Sequence, residues 1–292
     1  MHRLIGMILV ALSAAAFGTL AIFYKYAYAD GMDAITILFL RFSLAAILML
    51  VLLCVRRERL PRGMVLVQLI GMGSIGYVGQ AFSYLTALKY ASPGLVALLL
   101  YLYPVFVAML SAIVLHEPIS GFRGLALGLA LVGTGLTVGP VGGQMHGILL
   151  AISAAAIYSV YILVGAQVMK QVTPVQSSAV IFAAAGVTLG LMMAVNEPHL
   201  PATATGWTVI ALIVLIATAL PVVTFLAGLE RIGASNAAML STLEPVVTVL
   251  LAAWLLDETL NPLALLGGGL ILAAVLLLTK SELRFRFDQS PS

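Results

Sequence analysis

The sequence is poor in charge, in histidine and in cysteine, and each shortage narrows what the chain can be. Only 9% of its 292 residues are charged, against roughly 25% in a soluble domain, which excludes a water-soluble fold. The single cysteine, Cys54, excludes an internal disulfide, and its place at the end of an apolar run reads as packing rather than as a reactive thiol. The four histidines, His2, His116, His146 and His199, fall at ends or in loops. With no HExxH, no pair of midplane aspartates and no embedded Ser/His couple, an intramembrane enzyme has no converging catalytic groups. A GxxxxGK[ST] loop is lacking too, which excludes an ATP-driven pump. No catalytic residue, metal or cofactor is therefore expected.

What the chain has instead is apolar length. It is 62% hydrophobic, and its apolar runs fall near 4–28, 32–54, 64–88, 92–115 and 121–138, then 145–170, 174–195, 206–229, 234–256 and 261–279. Each is close to the roughly 20 residues a helix needs to cross a hydrocarbon core. Ten spans with short turns use nearly the whole chain and leave no room for a soluble domain. The runs are continuously apolar, whereas a membrane β-barrel alternates polar and apolar residues over about ten-residue strands. The expected fold is an all-α membrane protein of ten transmembrane helices. The first run follows His2 and Arg3 and contains Ser13-Ala14-Ala15-Ala16, but it is too long for a signal-peptide core and is kept as the first span.

Lys and Arg are retained in cytoplasmic loops. One side carries Arg3, then Arg56, Arg57, Arg59 and Arg62, then Arg123, Lys170, Arg231, and finally Lys280, Arg284 and Arg286, while the loops of the other carry only Lys89. Both termini are thus expected in the cytoplasm of a bacterial cell, with the protein multi-pass in the inner (plasma) membrane. The basic cluster at 56–62 is accounted for by topology, and no nucleic acid is expected as a partner.

An internal repeat is also present. Leu9-Val10-Ala11-Leu12-Ser13-Ala14-Ala15-Ala16 matches Leu149-Leu150-Ala151-Ile152-Ser153-Ala154-Ala155-Ala156 at an offset of 140. At 141, Leu102-Tyr103-Pro104-Val105 faces Leu243-Glu244-Pro245-Val246, Leu115-His116-Glu117 faces Leu256-Asp257-Glu258, and Gly128 faces Gly269. Residues 1–140 and 141–280 form two five-span repeats, and 281–292 a cytoplasmic tail. Because five is odd, the second repeat enters the membrane from the opposite side. Inverted repeats are a recurrent device for alternating access to a central site. A channel wants polar residues recurring along one helix face, and a receptor has no need of inverted halves.

These features resemble the ten-helix drug/metabolite transporters, in particular exporters built from two EamA-type five-helix units. The resemblance covers residues from about 4 to 280 and rests on Ser83-Tyr84-Leu85-Thr86-Ala87-Leu88, Leu102-Tyr103-Pro104-Val105 and Leu115-His116-Glu117, followed by a glycine-bearing fifth span, with Pro245, Glu258 and Gly267-Gly268-Gly269 in the second half. It implies export of a small-molecule metabolite through a central cavity walled by spans 1, 3, 4, 6, 8 and 9, with spans 5 and 10 outside. The amino-acid exporters, including those for aromatic amino acids, are similar, as are multidrug exporters. The expected partners are that substrate and the lipid bilayer, with the protein a monomer or a homodimer.

The candidate substrate-binding residues are Tyr77, Gln80, Tyr84, Tyr101, Tyr103, Tyr158, Tyr161, Thr242 and Glu244. Tyr77, Gln80 and Tyr84 share one helix face, and such groups suit an amphipathic molecule held by ring contacts and a few hydrogen bonds; the alternative for several tyrosines is the headgroup region. A charge such as Glu244 within a span is either functional, as an amine acceptor or proton carrier, or permanently paired with Arg41 or Thr242. Pro104 and Pro245 are expected to kink their helices and free the carbonyls of Leu100 and Ser241. Arg41 and Lys25 are the only basic residues inside spans, which disfavours phosphorylated substrates. Glu117, Asp257 and Glu258 read as helix-end groups, and Gly124 with Gly128 as a close-packing pair for scaffold or dimer contacts.

Overall fold

The computed structural model describes residues 2–87, 89–91, 96, 99–114, 121–138, 144–194, 198–255 and 262–287; Glu117, Asp257 and Glu258 lie outside them. Among these residues the regular structure is helical. The helices are α1 (His2–Gly18), α2 (Leu20–Ala29), α3 (Ala34–Val55), α4 (Gly63–Gly71), α5 (Val78–Ala87), α6 (Tyr103–Val114), α7 (Gly121–Val138), α8 (Met145–Val168), α9 (Pro174–Met193), α10 (Ala204–Val214), α11 (Leu220–Ile232), α12 (Ala234–Leu240), α13 (Glu244–Leu255) and α14 (Pro262–Phe287). Several run on with little break, giving seven helices long and apolar enough to cross a membrane: His2–Ala29, Ala34–Val55, Gly63–Ala87, Met145–Val168, Pro174–Met193, Ala204–Ile232 and Ala234–Leu255. Shorter apolar helices lie at Tyr103–Val114, Gly124–Leu136 and Leu265–Leu277.

Local chemistry sets the ends. Asp33 caps α3 by accepting from the Ile35 and Thr36 amides, and Thr173 with Gln176 forms a reciprocal capping box ahead of Pro174 in α9. Gly233 separates α11 from α12 at φ +80°, a conformation that a Cβ disfavours.

Two interruptions are not visible in the apolar pattern. Met72–Tyr77 between α4 and α5, and Leu215–Ala219 between α10 and α11, are π-helical turns, each with an extra residue in the helical ladder. Applying the 141-residue offset to 72–77 gives 213–218, which overlaps the second turn.

Packing follows the same exchange. α1 lies along α11 and α5 along α8; α1 also meets α13 as α8 meets α6; α3 pairs with α9 and α7 with α14. Each pairing maps onto itself or onto another when the first five runs are exchanged with the second five. The α1–α11 crossing is tight because both helices have glycine there: a Cβ on Gly228 would sit 2.8 Å from the Gly6 carbonyl oxygen. The same end holds the basic loops, where the Thr173 hydroxyl donates to the Glu58 carboxylate at 2.6 Å and Gln176 Nε2 donates to the Arg59 carbonyl at 2.8 Å.

Two expectations change. Cys54 is exposed on the outside of α3 rather than packed, because the core-facing residues of that stretch are Met49 and Leu53. The helix breaks lie just ahead of the two prolines, as a turn at 101–102 before Pro104 and the 3₁₀ turn at Ser241–Leu243 before Pro245, which stands midway along Ala234–Leu255. Pro104 and Pro245 are each the second residue of a helix, where an absent N–H loses nothing and the fixed φ suits the first turn. The Ser241 carbonyl is not free, since a 3₁₀ turn at Ser241–Leu243 lets it accept from the Glu244 amide.

Candidate functional site

A cavity of about 620 Å³ occupies the bundle. Its floor is at mid-helix depth, where Phe17, Arg41, Phe42, Tyr77, Tyr161 and Glu244 meet, and its walls rise along α2, the first half of α3 and α5 to Lys25, Tyr28, Ala34 and Tyr84. The far end lies beside the 30–33 loop, where Tyr28 is 45% exposed. Toward the opposite, basic end the lining stops, and there α1 crosses α11 closely and the Gly73 backbone lies against Ile181 and Ala184 of α9.

One wall is a run of aromatic rings drawn from remote segments. Phe42 meets Tyr77 edge-on at 4.9 Å, Tyr77 meets Tyr161 edge-on at 5.5 Å, Tyr161 stacks on Tyr158 at 5.8 Å, and Tyr158 meets Tyr103 edge-on at 4.8 Å. Tyr101 continues the run beside Tyr103 at 6.4 Å. Offset and edge contacts of this kind are the favoured ring geometries and are worth about 0.5 to 1.5 kcal/mol each beyond area burial. The run is braced behind by Ser159, whose hydroxyl lies 3.2 Å from the Tyr103 carbonyl, and by the Tyr103 hydroxyl, which donates to the Ala238 carbonyl at 3.3 Å.

The charged groups sit opposite each other in character. Arg41 is 4% exposed. Its Nε donates to Thr218 Oγ1 at 2.7 Å, Nη2 to the Ala217 carbonyl at 3.3 Å and Nη1 to the Tyr24 hydroxyl at 3.1 Å, while its Cζ lies 4.9 Å from the Phe42 ring centroid. The second π-turn thus supplies two of the acceptors that a buried guanidinium needs. Glu244 begins α13 and lines the cavity. Among the described residues its carboxylate accepts no hydrogen bond and forms no ion pair, with Arg41 or any other group. The permanent Arg41 or Thr242 pairing is thus not what the structure holds.

Of the expected site residues, Tyr77, Gln80, Tyr84, Tyr101, Tyr103, Tyr158, Tyr161 and Glu244 line this one cavity. Thr242 does not. It is 2% exposed, and its hydroxyl turns back to the Met239 carbonyl at 2.6 Å. Thr248, one turn beyond Glu244 on the same face, lines the cavity instead. The wall also departs from expectation in its helices: α3 contributes Leu38, Arg41 and Phe42, whereas the eighth run supplies no lining residue and acts through its bonds to Arg41. The charge of Arg41 within an apolar run was the signal for its place; nothing in the local pattern marked Phe42 or Phe17.

Beside the mouth, Asp30 ties the 30–33 loop to the 198–203 segment. It accepts from Thr203 Oγ1 at 2.5 Å and from the Ala202 amide at 2.9 Å, and the Thr203 hydroxyl, with these amides, holds its carboxyl below the usual range. The His199 amide donates to Thr36 Oγ1 at 3.1 Å, and His199 Nδ1 lies 3.7 Å from Asp33.

The model of the EamA-like transporter family matches residues 4–139 and again 145–280. An uncharacterized transporter of Archaeoglobus fulgidus is 28% identical over 276 residues, covering 93% of this chain and 95% of its own. The uncharacterized transporter YcbK of Bacillus subtilis is 25% identical over 279 residues, covering 90% and 89%. A protein crystal structure superposes with a TM-score of 0.84 at 20% identity, covering 98% of this chain and 99% of its own, a likeness in fold.

Proposed function

Because the chain belongs to the EamA-like transporter family, a family of multi-pass membrane transporters, we propose that it is a secondary transporter exporting small amphipathic metabolites, amino acids including aromatic ones, by alternating access. The observation that carries this reading is the shape of the cavity. Its lining runs from the middle of the bundle toward one face, and no lining residue lies at the basic end, where α1 and α11 cross closely. A site reached from one side at a time is what alternating access requires, and an exchange of packing between two similar halves is the simplest way to reach the other state. The doubled family match and the self-mapping helix pairs support two inverted five-helix units, 1–140 and 141–280, and ten spans. With the basic loops in the cytoplasm of a bacterial cell, both termini lie there, the protein resides in the inner membrane, and this conformation opens outward.

The lining argues for the substrate class. A mostly apolar, aromatic cavity with a few polar groups holds an amphipathic molecule of modest size. Counterflow in liposomes tests it, with unlabelled amino acids loaded inside and uptake of labelled phenylalanine or leucine followed. Stimulated, competable uptake is expected. A protein that stays monodisperse yet shows no stimulation with any amino acid, while cationic dyes or other metabolites do stimulate exchange, would move the assignment to a multidrug or other metabolite exporter.

A further inference from the structure

We propose that Arg41 and Glu244 are the two poles of a zwitterion site, Arg41 receiving the α-carboxylate of the substrate and Glu244 its α-ammonium, with the side chain lying against the tyrosine run; this rests on the amino-acid reading above. The basis is an imbalance in how the two buried charges are satisfied. A guanidinium has five N–H donors, and three of those of Arg41 are taken by Thr218, Ala217 and Tyr24. The other two have no partner among the described residues, though the residue is 4% exposed and lines the cavity. Glu244 lines the same cavity, and among the described residues its carboxylate has no hydrogen bond and no ion pair within contact distance. Buried charges of opposite sign normally pair, because each is costly alone. These two feel each other's charge but form no direct ion pair, because each is fixed by its own helix. Arg41 is tied to the second π-turn, and Glu244 is fixed in the first turn of α13 after the 3₁₀ break. The space between them is open to a ligand that carries both complementary charges on one carbon.

A fixed fork facing a carboxylate gives two parallel charge-assisted hydrogen bonds. Losing one pole therefore changes which ligands are accepted, as well as how tightly they bind. A site with a single working pole favours a simple amine or a simple acid instead.

The test uses the full chain in liposomes, with labelled phenylalanine counterflow competed by phenylalanine, by phenethylamine, which lacks the carboxylate, and by 3-phenylpropionate, which lacks the amine. The unaltered protein should prefer phenylalanine over both by at least roughly tenfold, the scale of one lost charge-assisted bond. Arg41→Met should erase the disadvantage of phenethylamine, and Glu244→Gln that of 3-phenylpropionate, each ratio moving by roughly tenfold. Arg41→Lys, which keeps the charge without the fork, should retain the preference over phenethylamine in weakened form, and it decides the matter if Arg41→Met does not fold. Equal losses for all three ligands in the folded variants would leave Arg41 a purely structural group and overturn the inference while the amino-acid reading stands. No counterflow with any amino acid would remove both.

Discussion

The two π-turns occupy overlapping positions in the two halves, yet they serve opposite purposes. The first, Met72–Tyr77, aims a ring into the cavity and lets Gly73 settle against the backbone of α9. The second, Leu215–Ala219, contributes no lining residue and offers Thr218 and a carbonyl to Arg41. By the 141 offset Tyr77 corresponds to Thr218 and Arg41 to Phe182. One crossing of turn and helix is therefore polar and buried, and its counterpart is aromatic, with Tyr77 and Phe182 both against Phe42. The scaffold repeats while the chemistry does not. An extra residue in a helix re-aims the side chains around it, and what it re-aims is free to differ.

Forcing the two crossings to match should break the protein. Phe182→Arg places a guanidinium where Tyr77 and Phe42 offer no substitute for Thr218 and the Ala217 carbonyl. It should destabilise by about 3 to 5 kcal/mol, the scale of an uncompensated buried charge, and should appear as loss of monodisperse protein on size exclusion. Recovery of a well-folded Phe182→Arg variant would show that the first turn can accept a cation after all.

Gly73→Ala should cost up to about 3 kcal/mol, because the new Cβ meets the Ile181 carbonyl and comes within 2.8 Å of Ala184 Cβ. Gly71→Ala, two residues away in open space, should be neutral or stabilising by up to about 1 kcal/mol. Thermal unfolding of the two variants in detergent compares them directly, and equal midpoints would refute the close approach of the first turn to α9.

Thr218→Val keeps the volume and removes the acceptor of the Arg41 Nε bond, at about 2 kcal/mol. The same substitution at Thr248, which bonds the Gly18 and Glu244 carbonyls at the cavity edge, should cost less in unfolding midpoint. An equal or larger loss at Thr248 would count against the second turn as the anchor of Arg41.

The smallest effect lies at the mouth. The carboxyl of Asp30 titrates below its ordinary range, so its contribution is present above the unfolded-state value and is lost as pH falls through the lower folded-state value. Asp30→Asn should therefore lower the unfolding midpoint slightly at neutral pH, and the difference should vanish on acidification. A difference that grows toward acid pH would reverse the sign and exclude the Thr203 bond as its source.

Much of this was legible in the sequence, for reasons that are local. A span needs only apolar length, so scarcity of charge and the position of each run placed the helices, seven of which among the described residues are long and apolar enough to cross a membrane. Tyr77, Gln80 and Tyr84 could be put on one face because helical spacing is fixed. Thr242 was misplaced because the 3₁₀ turn at 241–243 shifts the helix phase just before Glu244.

The sequence by itself determined that the chain is a bundle of apolar helices in two similar halves, since hydrophobic length and repeat are properties of the chain read in order. Only the tertiary structure decided which faces enclose the cavity and how its charges are held. The bonds of Arg41 to Thr218 and Ala217 join residues 177 and 176 positions apart, and the tyrosine run is drawn from three separate stretches of chain. Such partners are chosen by helix packing, through glycine contacts and π-turns whose signals are too short to stand out in a uniformly apolar sequence.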